Sequence, residues 1–544
     1  MVKKSLSGRQ SQPWLVVLGC LGLALGLRLY QFGAIPHGLN RDEAAIGYTA
    51  QLLAMTGREE HGRRWPLKFE SFGDWKQPLY IYLTIPWILI FGLTPAAVRS
   101  VSLISGLAMM MAALLTTNQL WGAKTKWGWP GWVAFVLLAV NPWHFHFSRL
   151  ALEAMLAASL FSLGGLSLIK RRLWLGVGIL ILSMGTYHGA LIVIPLWFLG
   201  FLFSQRPLRK NRALIIAALG LYLATLVMGY QTWFSGERAK VTGTVIFNLS
   251  PAEQWQQIYQ YRTNQLGSKL KYNQYVYYGQ VLVKNYLRTW TPEFLLVKGG
   301  NHPHYNVPYF GNFLGVEITL AIFGIFWIIK QKNRNGWLVL WALILGPLPA
   351  ALTLPGIHST RSVLMLPWVQ VIGALGAGYL VSRVKSRGKM VLIAGLGLLL
   401  GLQAFAFFNY YYGPYRTESD WRFDGYMKEV AEYLKDNRGK YQKIYVTFPF
   451  ESPYIFYAFY NRLQPQEFLN SVDYYQADTL GFRHVKSLLN MEYVSKFDQT
   501  KLDQKVTRVL VVSRIEEAPG VKPLTTFTNL DGKVEMVAYE PDDL

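Results

Sequence analysis

The feature that most limits what this chain can become is a series of apolar runs, each near the ~20 residues needed to span a bilayer. They lie at 14–30, 98–120, 129–147, 150–169, 173–188, 189–203, 213–233, 313–329, 337–354, 362–381 and 390–410. Short basic clusters punctuate them at 3–9, 124–126, 170–172, 206–212, 330–334 and 383–389, and no acid lies inside any cluster. The positive-inside rule places these six stretches in the cytoplasm. The formal charge of +23 therefore reports topology rather than nucleic-acid binding; outside the clusters, cations and acids nearly balance. With 52% hydrophobic and only 16% charged residues, the chain reads as a polytopic α-helical membrane protein with about eleven crossings. An odd number of crossings and a cytoplasmic N-terminus put the C-terminus outside. The single cysteine, Cys20, allows no intramolecular disulfide.

A twelfth apolar run, 79–93, is short and contains Pro86. Were it to cross, the 124–126 cluster and every later one would fall outside. It is therefore expected to lie in the interface or re-enter, so that the outer surface runs from residue 30 to 97. A second long external stretch spans 234–312, with a helix expected at 252–266. From 412 the apolar runs stop. A helix pattern at 424–434 and β-type runs at 443–447, 508–513 and 534–539 predict an external α/β domain of roughly 130 residues, large enough to fold alone. The expected division is a transmembrane catalytic domain, 1–411, followed by a soluble external domain, 412–544.

The first external loop carries adjacent carboxylates, Asp42 and Glu43, ahead of a segment, 44–57, that can form an amphipathic helix parallel to the membrane. Acids at a helix start also suit the dipole. Five cationic positions, Lys76, Arg99, Arg149, His358 and Arg361, come out on the same face in this topology. Arg99 at a span end also suits snorkelling, and Arg149 with Glu153 also suits an i, i+4 ion pair. Asp74 and His61 are supporting candidates.

A carboxylate, several cations and a lipid-facing wall suit transfer of a sugar from a polyprenyl-phosphate donor. The cations would hold the phosphate and stabilise its departure, and Asp42 would take the proton of an acceptor hydroxyl. His37, His61, Asp42 and Glu43 could hold a divalent metal, although their spacing matches no diagnostic pattern. No Walker-type loop, zinc-binding cysteine cluster or G-x-S-x-G element is present in the sequence.

The order of these features resembles a known family. A basic N-terminus and one crossing precede a P-x-G-x-x-x-D-E loop (36–43), a Lys76-Gln77-Pro78 element, a Val98-Arg99 span start, S-R-L-A-L-E (148–153) and H-S-T-R-S-V-L-M-L-P (358–367). This looks like the GT-C membrane glycosyltransferases, in particular the group of protein O-mannosyltransferases and lipid A aminoarabinose transferases. The resemblance implies the GT-C fold, a polyprenyl-phosphate sugar donor and inversion at the anomeric carbon. It also implies Asp42 as the catalytic aspartate, acting as general base, Glu43 as its neighbouring acid and Lys76 as the phosphate contact. The large external domain inserted in eukaryotic protein mannosyltransferases is missing. The expected activity is transfer of a mannose-like or other monosaccharide to a lipid, glycan or protein of the cell envelope. A flippase of lipid-linked sugars and an oligosaccharide ligase are the alternatives.

Overall fold

The computed structural model describes residues 13–72, 74–122, 128–205, 212–234, 245–248, 256, 258–447, 452–477, 483–501 and 508–541. Each apolar run within them becomes helical. The first ten helices are α1 (Pro13–Leu29), α2 (Arg41–Thr56), α3 (Pro78–Phe91), α4 (Pro95–Trp121), α5 (Trp129–Val140), α6 (Pro142–Phe147), α7 (Glu153–Ile169), α8 (Leu173–Met184), α9 (Ala190–Ser204) and α10 (Arg212–Phe234). Later apolar helices are Gly315–Gln331, Arg334–Leu345, Trp368–Arg383 and Ser386–Tyr412. Among the described residues, α4, α10 and Ser386–Tyr412 are individually long and apolar enough to cross a membrane.

Several of the others are shorter than expected because the chain breaks them. The run at 129–147 divides at Asn141-Pro142, where proline starts a new helix and Asn141 caps it by accepting from the His144 N–H. Pro367 likewise separates Ser359–Met365 from Trp368–Arg383, with a 44° bend. Glycine permits the tightest helix pairing. A methyl group on Gly324 would strike the Ile372 carbonyl, and one on Gly376 the Leu320 carbonyl, so Gly315–Gln331 and Trp368–Arg383 pack backbone to backbone. α3, with 14 residues, is about 21 Å long, short of a ~30 Å hydrocarbon core.

Two differences from expectation concern the outer segments. α2 is not an amphipathic helix resting on lipid: every residue from Glu43 to Leu53 is buried, Thr49 and Gln51 included. It is wedged between α3 and α4 on one side and helix Pro453–Tyr460 of the C-terminal region on the other. Gly47 is the closest point of this wedge, since an added Cβ would lie 2.6 Å from Phe459 and 2.7 Å from Val98. Of the helix expected at 252–266, residues 252–255 and 257 lie outside the described residues, and 258–265 do not form it. Where the chain is described, Tyr259–Tyr261 is a single 3-10 turn and helices form instead at Leu266–Lys271 and Gln274–Arg288.

The C-terminal region is built on a seven-stranded mixed sheet of order β4-β5-β6-β3-β7-β9-β8. Its strands are β3 (Lys443–Thr447), β4 (Asp473–Tyr474), β5 (Val485–Leu488), β6 (Met491–Val494), β7 (Val509–Arg514), β8 (Thr525–Thr528) and β9 (Val534–Tyr539). Central β3 runs parallel to β6 and β7, and the other pairings are antiparallel. Ile444 and Val446 point from β3 into a core that also holds Val430, Phe456, Phe459, Ala45, Tyr48 and Val98. One apolar cluster thus joins the sheet region, α2 and α4. The region expected as a separate external domain shares its core with the helical part.

Candidate active site

The loop between α1 and α2 is held by two buried arginines. Arg149, just before α7, donates to the carbonyls of Arg28 (2.6 Å), Tyr30 (3.0 Å), Gln31 (2.8 Å) and Ile35 (3.0 Å). It thereby satisfies carbonyls at the end of α1 that have no intrahelical partner. Arg99, one turn into α4, donates to Pro36 O (3.0 Å) and Gly38 O (2.7 Å) and grips Glu43 with two bonds of 2.9 and 3.0 Å. Both guanidiniums are fully buried, so their charge requires these partners. Expected as donor-phosphate contacts, Arg99 and Arg149 instead spend their N–H groups on the chain's own loop. A third buried arginine, Arg28 in α1, was not foreseen. It bonds the Ala139 and Leu138 carbonyls (3.2 Å each) and the Ser148 hydroxyl (3.1 Å).

Helix geometry then separates the two adjacent carboxylates. Asn40 is the N-cap of α2 and accepts from the Glu43 N–H at 3.0 Å, while the Glu43 carboxylate faces back to the Asn40 N–H. This capping box turns Glu43 inward, where it also accepts from the Ala151 N–H at 2.7 Å. Asp42, one residue earlier and about 100° around the helix, faces outward with its side chain 45% exposed.

Lys76 meets Asp42 from the opposite side. Strands β1 (Phe69–Ser71) and β2 (Asp74–Lys76) form a hairpin whose turn includes Phe72 at φ 59°. The hairpin delivers Lys76 Nζ to 2.9 Å from Asp42 Oδ1 and 3.4 Å from its carbonyl. The Phe72 ring lies under both Lys76 (5.7 Å) and Arg41 (5.5 Å). The side chain of Asp74 lies outside the described residues.

The far wall comes from two loops that sequence reasoning used only in part. His302, His304 and Tyr305 form a cluster with His358: centroids are 4.6 Å apart for His302–Tyr305, 5.6 Å for His302–His358 and 5.4 Å for Tyr305–His358. Ser359 locks the two loops together, accepting from Gly300 N–H (3.0 Å) and donating to Asn306 Oδ1 (2.6 Å). Burial lowers the pKa of His302 while Asp42 pulls it up and Arg361 and Arg41 push it down, so those three charges converge on one imidazole. Burial, and then His302, hold His304 down at about 3. Arg361, anchored on Leu354 O at 3.0 Å, is itself lowered by burial. Gln77 extends the wall through His188, 3.3 Å away. His302 and His304, in the sequence H-P-H-Y within a long polar stretch, were the missed signal.

Glu153 and His61, two of the supporting candidates, sit on separate elements. Glu153 opens the first turn of α7. The His61 ring lies 4.7 Å from that of Tyr474 and tilted by 34° to it, toward the sheet region. His37 bonds Asp420, which in turn accepts from Leu530 N–H. His37, His61, Asp42 and Glu43 are thus not gathered on one ion, and among the described residues no cluster of three or more His, Cys, Asp or Glu could hold a metal.

No protein-family model matches the sequence, and no curated protein matches it. Solved structures do match. ArnT from Cupriavidus metallidurans bound to undecaprenyl phosphate aligns with a TM-score of 0.55 at 12% identity, over 97% of this chain and 98% of that one. Its apo form gives 0.54 at 10% identity, over 96% and 97%. The apo oligosaccharyltransferase of Archaeoglobus fulgidus gives 0.50 at 11%, over 83% of this chain and 64% of that one. Over nearly its whole length the chain has the fold of ArnT, and over most of its length that of the archaeal oligosaccharyltransferase, the GT-C fold of membrane glycosyltransferases.

Proposed function

We propose that the protein is an inverting glycosyltransferase, acting at the outer face of the cell membrane, that moves a sugar from a polyprenyl-phosphate donor to an acceptor hydroxyl. The observation that carries this reading is the 2.9 Å contact between Lys76 and the outward carboxylate of Asp42. The contact lies in a fold shared with a protein solved with undecaprenyl phosphate bound. Asp42 accepts the acceptor hydroxyl proton as that oxygen attacks the anomeric carbon. The carbon–oxygen bond to phosphate breaks with its electron pair, and polyprenyl phosphate leaves. An ammonium carries three donors, so Lys76 can keep Asp42 and also reach a phosphate oxygen. Arg361 adds positive charge beside Asp42, and His302, Tyr305 and His358 supply a group of aromatic rings, tilted 31–44° to one another, against which a sugar ring can lie. Arg99, Arg149 and Glu43 act by positioning the loop rather than by touching the donor.

Purified protein supplied with a lipid-phosphate sugar should lose turnover as Asp42→Asn while retaining its melting temperature; full turnover in that variant rejects the role. Movement of labelled lipid across vesicles without transfer would point to a flippase. Product mass separates one sugar from a whole oligosaccharide.

A further inference from the structure

A polar cavity of about 940 Å³ opens at the other end of α2 from Asp42, between its last turn, residues 58–64 and the C-terminal region. It is near the upper end of the ~300–1,000 Å³ typical of ligand sites. Three guanidiniums face it from two distant parts of the sequence: Arg58 and Arg64 from the first loop, and Arg483 ahead of β5. Their donors are largely uncommitted. Arg58 gives one bond to Gly62 O at 3.2 Å, and Arg483 lies 3.7 Å from Glu70. Arg64 is exposed and makes no side-chain hydrogen bond or ion pair among the described residues. The one acid in the wall, Glu60, has both carboxylate oxygens occupied, by Thr49 (2.8 Å) and Tyr454 (2.9 Å). Asn470 adds an amide, and the His61–Tyr474 pair, with centroids 4.7 Å apart and rings tilted by 34°, adds an aromatic face. Guanidiniums suit an anionic substituent, the amide suits hydroxyls, and the rings suit the apolar face of a sugar.

We propose that this cavity binds an acidic saccharide, carrying a carboxylate or phosphate, as the distal part of the acceptor. The word acceptor rests on the transferase reading above; the binding site does not. Asp42 lies in the first turn of α2 and Thr56 ends it, so the two ends are about 20 Å apart at 1.5 Å per residue. A molecule engaging both is therefore an extended oligosaccharide rather than a single sugar. The cavity sits on the sheet side of α2, away from the apolar bundle, which suits a water-borne chain rather than the lipid-anchored donor.

Calorimetry on the full-length protein in nanodiscs, without donor, tests this with tetragalacturonate and the neutral maltotetraose. Tetragalacturonate should bind at least tenfold more tightly, and less tightly as salt rises. Arg64→Gln alone, at an exposed site that disturbs no contact, should weaken it severalfold, and Arg64→Gln with Arg483→Gln by tenfold or more. Asp42→Asn should bind it as the unaltered protein does, so a failed transferase reading leaves this result standing. Equal binding of the two sugars, no binding of the acidic one, or unchanged affinity in Arg64→Gln overturns the proposal.

Discussion

Lys76 Nζ and Asp42 Oδ1 lie 2.9 Å apart, yet their exposures are opposite: the lysine side chain is 5% exposed and the aspartate 45%. The cation is fixed and buried, and the carboxylate is the partner open to an incoming molecule. Replacing Lys76 by Gln should lower turnover about 10²–10³-fold, the usual cost of removing one preorganised donor to a developing oxyanion. Lys76→Arg should retain part of it. Single-turnover rates at saturating donor separate this loss from weaker binding; an unchanged rate in Lys76→Gln removes the lysine from the chemistry.

Glu43 and Arg99 should behave as a structural pair. Arg99→Ala leaves a fully buried carboxylate without its cation, a change that costs about 3–5 kcal/mol. Glu43→Gln keeps an oxygen for the Ala151 N–H and should cost less. Thermal melts in detergent rank the two; a smaller loss in Arg99→Ala than in Glu43→Gln contradicts the arrangement.

Glu60 makes stability depend on pH. Burial raises its carboxyl from 4.5 to about 7, against the opposing pull of the Thr49 and Tyr454 hydroxyls. Between those values the folded chain holds a proton that the unfolded chain has released. Stability attributable to Glu60 therefore falls as pH rises from 4.5 to 7, by roughly 3 kcal/mol in all, and is level above. His61, lowered by burial, works in the opposite sense, gaining stability as pH rises toward 6.5. The comparison is accordingly between the parent protein and Glu60→Gln. The variant's melting temperature should gain on the parent's as pH rises from 5 to 8, and parallel curves would refute the shift.

Gly47 should tolerate little enlargement. Leucine there meets Phe459 on one side and Val98 on the other, and overpacking of this kind costs about 1–3 kcal/mol. Turnover should fall along with the melting temperature, because the same helix carries Asp42. A Gly47→Leu protein with parental stability would mean that α2 and the sheet region separate freely.

Much of this architecture is legible in the residues. Apolar length and basic turns mark the membrane helices, and the order of Asp42, Lys76 and Arg361 marks one face. The capping box of Asn40 and Glu43 is also written locally, and it is what turns one carboxylate inward and its neighbour outward. The fate of Arg99 and Arg149 is not legible, because an arginine at a span end looks alike whether it awaits a phosphate or grips the carbonyls of a loop some 60 to 120 residues away. α2 misleads for a related reason. Its Thr49 and Gln51 read as a polar face, but Thr49 is satisfied by Glu60 and the helix is covered by residues some 400 positions later. Strands as short as Asp473–Tyr474 leave no periodic signal at all.

The wedge at Gly47 ties the exposed carboxylate of Asp42 to two masses at once. A push on the sheet region, from whatever docks there, reaches Asp42 through a rigid rod of 16 residues rather than through a loop. Swapping the terminal portion between relatives would therefore fail unless the partner of Phe459 travelled with it, and selection on the fit of the two regions must act jointly on sequence stretches that never meet along the chain.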